Sequence, residues 1–176
     1  LGTSPRRGRG KVVEDEPEAD SLRARMEPLV KEDKAEEAEA LLVEKVSLLS
    51  PVALAEAGQR VAWIYYVLGR DEDARRVASQ YRTIMPVAEN GGADWTGQSD
   101  WFGRAAWIEG LANWRLGDCM NAAKAFGDAA RLVNEAELRA ASHYWRARSL
   151  QACHDPRGAN AALREAIGQA GPDSFY

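Results

Sequence analysis

The stretch RAAWIEGLANWRLGDCMNAAKAFGDAARL, residues 104–132, decides the fold. It puts Trp107, Leu111 and Trp114 on one helical face, breaks at Gly117-Asp118, and resumes with Ala122, Phe126 and Ala129 at helical spacing. Two helices joined by so short a turn form a hairpin. Its second half recurs: Ala122, Phe126, Ala129 and Val133 align with Ala74, Ala78, Tyr81 and Met85 at an offset of 48, and with Ala159, Leu163, Ala166 and Ala170 at 37. Small residues let helices approach closely and the larger ones fill the gap to the next hairpin, so no hairpin buries that face alone and the units must stack.

Helix ends are well signalled. Ser50-Pro51 and Asp155-Pro156 each place a capping residue before a proline suited to the first helical position. Asp71 and Asp100 are read as caps of the helices that follow them, and Gly69 and Gly117 as left-handed C-terminal residues. Helices are therefore expected near 20–30, 34–49, 51–69, 72–86, 100–116, 119–133, 135–152 and 156–170. No period-two alternation points to a strand. The expected architecture is all-α, a right-handed superhelical solenoid of about eight helices, tetratricopeptide-like, with Gly110, Ala122, Phe126 and Ala129 where such repeats place small and large residues. Asn113 stands where those repeats usually carry an aromatic.

The domain is expected to span 20–176, preceded by a tail over 1–19 whose basic run RRGRGK, acidic run and near absence of apolar residues read as a solvated terminus. Between the second and third hairpins lies PVAENGGADWTGQS, residues 86–99, the one long internal loop. Its Trp95 either folds back over the helices or meets a ligand, packing being the favoured reading.

Composition narrows the function classes. With 45% hydrophobic and 28% charged residues in 176, the chain can bury a core. A net charge of -4, from 23 basic and 27 acidic side chains, gives no global field to attract nucleic acid. No apolar run reaches the length of a membrane span. The sequence begins with Leu1, which reads as a processed or trimmed product. Cys119 and Cys153 fall at turns of different hairpins, where Cα atoms are expected beyond the ~7 Å bridging limit, so free thiols are expected.

Catalytic constellations are scarce. Cys153-His154-Asp155 could be drawn as a fragment of a metal site, but Asp155 reads better as a helix cap, and neither metal nor other cofactor is expected. His143 is the only other histidine. Glu36-Glu37 and Glu135-Glu137 lie on polar helix faces and read as solvated. What stands out is an aromatic and arginine set on the first helices of the hairpins: Trp63, Tyr65 and Tyr66; Trp107 and Trp114; Tyr144 and Trp145; with Arg104, Arg115, Arg146 and Arg148. First helices commonly line the concave side of a solenoid, so Trp63, Tyr66, Trp107, Trp114, Trp145, Arg115 and Arg148 are the candidate ligand-binding residues.

Residues 104–132, followed by AASHYWRARSLQACHDPRGANAALREAIGQAGPDSFY, resemble the superhelical N-terminal region of soluble lytic murein transglycosylases. The family's Tyr-Trp-x-Ala-Arg helix is matched by Tyr144, Trp145, Ala147 and Arg148, and its Phe-Tyr before the catalytic domain by Phe175 and Tyr176. The resemblance covers roughly residues 100–176 and implies a periplasmic, peptidoglycan-active protein whose lysozyme-like domain cleaves the glycan with one Glu as acid and base. That domain would lie beyond Tyr176, so no catalytic residue is carried over and the chain itself is expected to be non-catalytic. The expected function is a scaffold that positions glycan strands or cell-wall proteins for such an enzyme. The alternative is a free-standing tetratricopeptide-like adaptor that binds a partner peptide.

Overall fold

The computed structural model describes residues 17–83 and 99–170. Among these the chain is all-α, with α1 Pro17–Lys31, α2 Ala35–Lys45, α3 Pro51–Val67, α4 Asp71–Arg82, α5 Ser99–Arg115, α6 Cys119–Leu132, α7 Ala136–Ala152 and α8 Pro156–Gln169. These make the four expected hairpins. Helix α1 starts three residues inside the segment expected as tail, with Pro17 leading and Glu18 and Asp20 in its first turn, where acids favour a helix start. The second expected helix tightens into a 3-10 turn at Val46–Leu48 before Ser50. Trp95, Met85, Phe175 and Tyr176 lie outside the described residues.

One turn geometry is used four times. Asp33, Gly69, Gly117 and His154 all take positive φ, between 54° and 77°. The next residue, Lys34, Arg70, Asp118 or Asp155, donates its backbone N–H to the carbonyl of Leu29, Tyr65, Asn113 or Leu150, five residues back. This is the left-handed helix stop that glycine adopts most readily. Four residues after each Lys34, Arg70, Asp118 or Asp155 stands a buried alanine: Ala38, Ala74, Ala122 and Ala159. The repeat read from the last three hairpins therefore extends to the first.

Capping followed the sequence in part. Ser50 accepts from the Ala53 N–H at 3.2 Å, and Asp155 accepts from the Gly158 N–H at 2.9 Å. Asp118 caps α6 through the Asn121 N–H. Asp71 and Asp100 are not caps: both lie inside the first turn of their helices, and their carboxylates are taken by Arg115 and by Arg104.

Each helix packs on its successor, and α3 also packs on α1 and on α5. Close approach of α5 and α6 depends on Gly110: a Cβ there would sit 2.7 Å from the Phe126 ring. Between α5 and α7 the backbones stay apart, and Trp145 bridges them edge-on to Trp114 at 5.5 Å between centroids.

The cysteines correct the expectation of free thiols. Cys119 and Cys153 form a disulfide with Cα atoms 5.7 Å apart. Successive hairpins stack with the start of one second helix beside the end of the next first helix, so residues at different turns become neighbours. In the preceding junction Asp71, at the Cys119 station, pairs with Arg115, one residue before the station of Cys153.

Candidate binding surface

The common turn fixes a shared register, and that register sorts the candidate residues. Counting back from each turn, Gln59, Trp63 and Tyr66 of α3 occupy the same stations as Trp107, Leu111 and Trp114 of α5 and as Tyr144, Arg148 and Gln151 of α7. All nine are half-buried or exposed. Spaced four and three residues apart, each trio forms a stripe along one helix face. Five of the seven candidate residues, Trp63, Tyr66, Trp107, Trp114 and Arg148, lie on these stripes. Trp145 and Arg115 sit one position aside and serve the packing between helices.

The stripes differ in what they leave open. Trp63 is 42% exposed and stacks on Tyr66 with centroids 5.6 Å apart. The Arg115 guanidinium covers the Tyr66 ring at 3.7 Å and donates to the Tyr66 carbonyl and the Asp71 carboxylate. A planar cation over an aromatic face, held by two acceptors, is a fixed ledge. Trp107 packs edge-on to Phe126 at 5.3 Å and also against the core. Trp145 is wedged among Trp114, Tyr144 and Phe126. Arg148 is exposed and donates to the Tyr144 hydroxyl at 3.1 Å. The accessible chemistry is thus aromatic at Trp63 and Tyr144, and cationic at Arg148.

Beneath these stripes runs a polar framework that the sequence did not announce. Arg82, half-buried at the end of α4, donates to Glu109 of α5 and to Asp128 of α6, tying three helices together. Its helical register marks it as inward-facing, but its partners lie 27 and 46 residues away and carry no local signal. Between the first two hairpins, Glu39 accepts from Tyr65 Oη at 2.5 Å and from Arg76. The Arg76 contact, with Tyr65 adding to it, holds the Glu39 carboxyl below its ordinary value, while burial and the same carboxylate push the Tyr65 phenol up. Asn113 occupies the Tyr65 station, as the aromatic expectation implied, yet is fully buried with neither amide atom hydrogen-bonded.

The remaining candidates have structural places. His143 is half-buried with Nδ1 unpartnered, and burial lowers its pKa. His154 takes the left-handed turn position, next to bridged Cys153 and the cap Asp155. Glu36, Glu37, Glu135 and Glu137 are exposed, Glu36 pairing with Arg70 and Glu135 with Arg104. Arg104 also lies against Trp101 at 5.9 Å, away from the stripes, and Arg146 lies along α6 at Gly127. Among the described residues no group of three or more His, Cys, Asp or Glu could hold a metal ion, and no helix is long and apolar enough to cross a membrane. Compared with family models, curated proteins and solved structures, the chain matches none of them.

Proposed function

We propose that the chain is a non-catalytic helical-hairpin scaffold whose first-helix stripes bind an extended ligand, a peptidoglycan strand or a cell-wall protein, for a lytic transglycosylase. The observation that carries the binding part is the shared register of Trp63, Tyr66, Trp107, Trp114, Tyr144 and Arg148, which lines half-exposed aromatics across three consecutive hairpins. A repeating ligand presents a repeating set of faces, and an aromatic face with a flanking arginine suits a sugar ring or a peptide plane. The transglycosylase assignment rests on the resemblance of residues 100–176, and the right-handed superhelix on the tetratricopeptide-like hairpin repeat. The disulfide Cys119–Cys153 supports an oxidising compartment, as a periplasmic location requires.

The test is retention of the purified chain on peptidoglycan sacculi over a salt series, with Trp63→Ala and Arg148→Ala as variants. Both side chains are exposed, so both variants fold. Retention that survives salt and falls in both variants supports the reading. Absence of retention, or retention indifferent to both changes, removes the glycan and leaves the stripes to a protein partner.

A further inference from the structure

The arginines divide along the chain. Every arginine from α3 to α6 forms an ion pair with a carboxylate. In α7 and α8, Arg139, Arg146, Arg148, Arg157 and Arg164 stand against Glu137, Asp155 and Glu165, and among the described residues none of these arginines is ion-paired. Arg139 spends its donors on Gln169 and on the Val133 and Asn134 carbonyls, and Arg146 lies along α6 at Gly127. Arg157 and Arg164 belong to the second helix of the hairpin. Arg148 alone lies on a first-helix stripe. The other guanidinium at this surface, Arg115, is already held by the Tyr66 ring and carbonyl and by Asp71. Arg148 is therefore the cation that the stripe surface offers to a ligand.

We propose that Tyr144, Arg148 and Gln151 form a subsite for an acidic sugar, a pyranose ring that bears a carboxylate. The proposal rests on the glycan reading of the stripes and names the chemistry that one end of them selects. Spacings of four and three residues set the three side chains in a line along one face of α7, and all three are exposed. Arg148 donates through Nη1 to the Tyr144 hydroxyl at 3.1 Å, which orients the guanidinium and leaves its other N–H groups for a carboxylate. A surface ion pair by itself is screened and weak, so recognition depends on what stands beside the charge. On one side is the Tyr144 ring, 41% exposed and set edge-on to Trp145 at 5.8 Å, an aromatic surface for a sugar ring. On the other is the Gln151 amide, which both donates and accepts, as a hydroxyl or an acetamido group requires. A peptide carboxylate would satisfy Arg148 alone; the aromatic ring and amide flanking it favour a carboxylate carried on a ring. The stripe of α3 has no such cation, because Arg115 is consumed, and stacks a neutral ring on Trp63. A ligand that spans the stripes therefore lies in one direction.

The probe is N-acetylmuramic acid, which joins a pyranose ring, an acetamido group and one carboxylate, set against N-acetylglucosamine, which lacks the carboxylate. Each is titrated into the full chain and followed by NMR on the Arg148 Nε–H and the Gln151 side-chain amide. The expected result is a saturable shift of both signals with the acid and none at Arg148 with the neutral sugar. Read on Gln151, affinity for the acid should fall roughly tenfold in Arg148→Gln and less in Tyr144→Phe, which removes only the hydroxyl that orients the guanidinium. Arg157→Gln, which removes the same charge from α8, should leave it unchanged. The backbone spectrum of each variant checks folding. No shift with the acid, equal shifts with both sugars, or equal weakening in Arg157→Gln overturns the proposal. A glutamate tetrapeptide that shifts Arg148 at lower concentration than the sugar acid also overturns it, giving the subsite to a protein segment. Binding of the sugar acid without retention on sacculi would reject the glycan-scaffold reading alone. Retention that survives amidation of the sacculus carboxylates, with no sugar-acid shift, would reject the subsite alone.

Discussion

Reducing the Cys119–Cys153 bridge should destabilise the fold by a calculable amount. The bond closes a sequence separation of 34 residues. The chain-entropy relation gives about 3.8 kcal/mol at 25 °C for a loop of that length. For a domain of this size that corresponds to a fall in Tm of roughly 8–15 °C. The measurement is a pair of thermal melts, oxidised and with a phosphine reductant, repeated on the Cys119→Ser/Cys153→Ser double variant, which must match the reduced wild type. The Asp71–Arg115 pair beside the equivalent place in the preceding junction is an internal comparison. Arg115 is 37% exposed, so solvent screens the pair and Asp71→Asn should cost less than about 1 kcal/mol, shrinking with salt. Two alkylatable thiols in the air-oxidised protein, or equal melts with and without reductant, would refute the reasoning.

Gly110→Ala gains helix propensity of about 1 kcal/mol but drives a methyl to 2.7 Å from the Phe126 ring, so a net loss of about 1–2 kcal/mol is expected in urea unfolding. Phe126→Leu in the same background should recover part of it. Trp114→Ala, which leaves Trp145 without its neighbour across α5 and α7, should cost about 3 kcal/mol, while Trp63→Ala leaves the melt nearly unchanged. Asn113→Leu, which places at this station the residue present at Leu29 and Leu150, removes two unpaired buried amide atoms and should raise stability by about 1–2 kcal/mol in the same unfolding assay. His143 is buried towards its neutral form, so the unfolded chain binds the extra proton: stability holds above about pH 6.5 and declines as pH falls through the folded pKa. His143→Gln should flatten the melting temperature between about pH 7 and 5.

What was legible in the sequence is what is local. Alternation of small and large residues at helical spacing, Pro after Ser50 and Asp155, and Gly at 69 and 117 depend on contacts within a few residues, and each held. The first hairpin was expected as a helix pair but not as a member of the repeat, and its turn carries Asp33 rather than glycine; non-glycine residues reach this conformation only when the surrounding hydrogen bonds hold them there. The cysteine pairing was misjudged for a related reason. Distance along the chain suggested separate turns, whereas antiparallel stacking brings the start of α6 beside the end of α7. Of the candidate surface, the sequence supplied the residues but not their grouping. Trp145 and Arg115 look equivalent to Trp63 and Arg148 by type, and only the register separates the packed pair from the accessible one.

The three junctions share a backbone plan but not a chemistry, and the difference bears on how the order of hairpins is specified. The first joins Glu39 to Tyr65 and Arg76, the second sets Arg82 between Glu109 and Asp128, and the third stacks Trp145 on Phe126 beside a disulfide. Apolar stripes built from alanine would let any second helix receive any first helix. A part-buried charge is more selective, because Arg82 set against the wrong partner gives up both of its carboxylates. That clamp stands at the one junction where α4 and α5 are separated by the longest stretch of sequence, so chain connectivity does least there to bring the two hairpins into register. The polar junctions therefore favour one neighbour for each hairpin over another, which alanine stripes alone would not do.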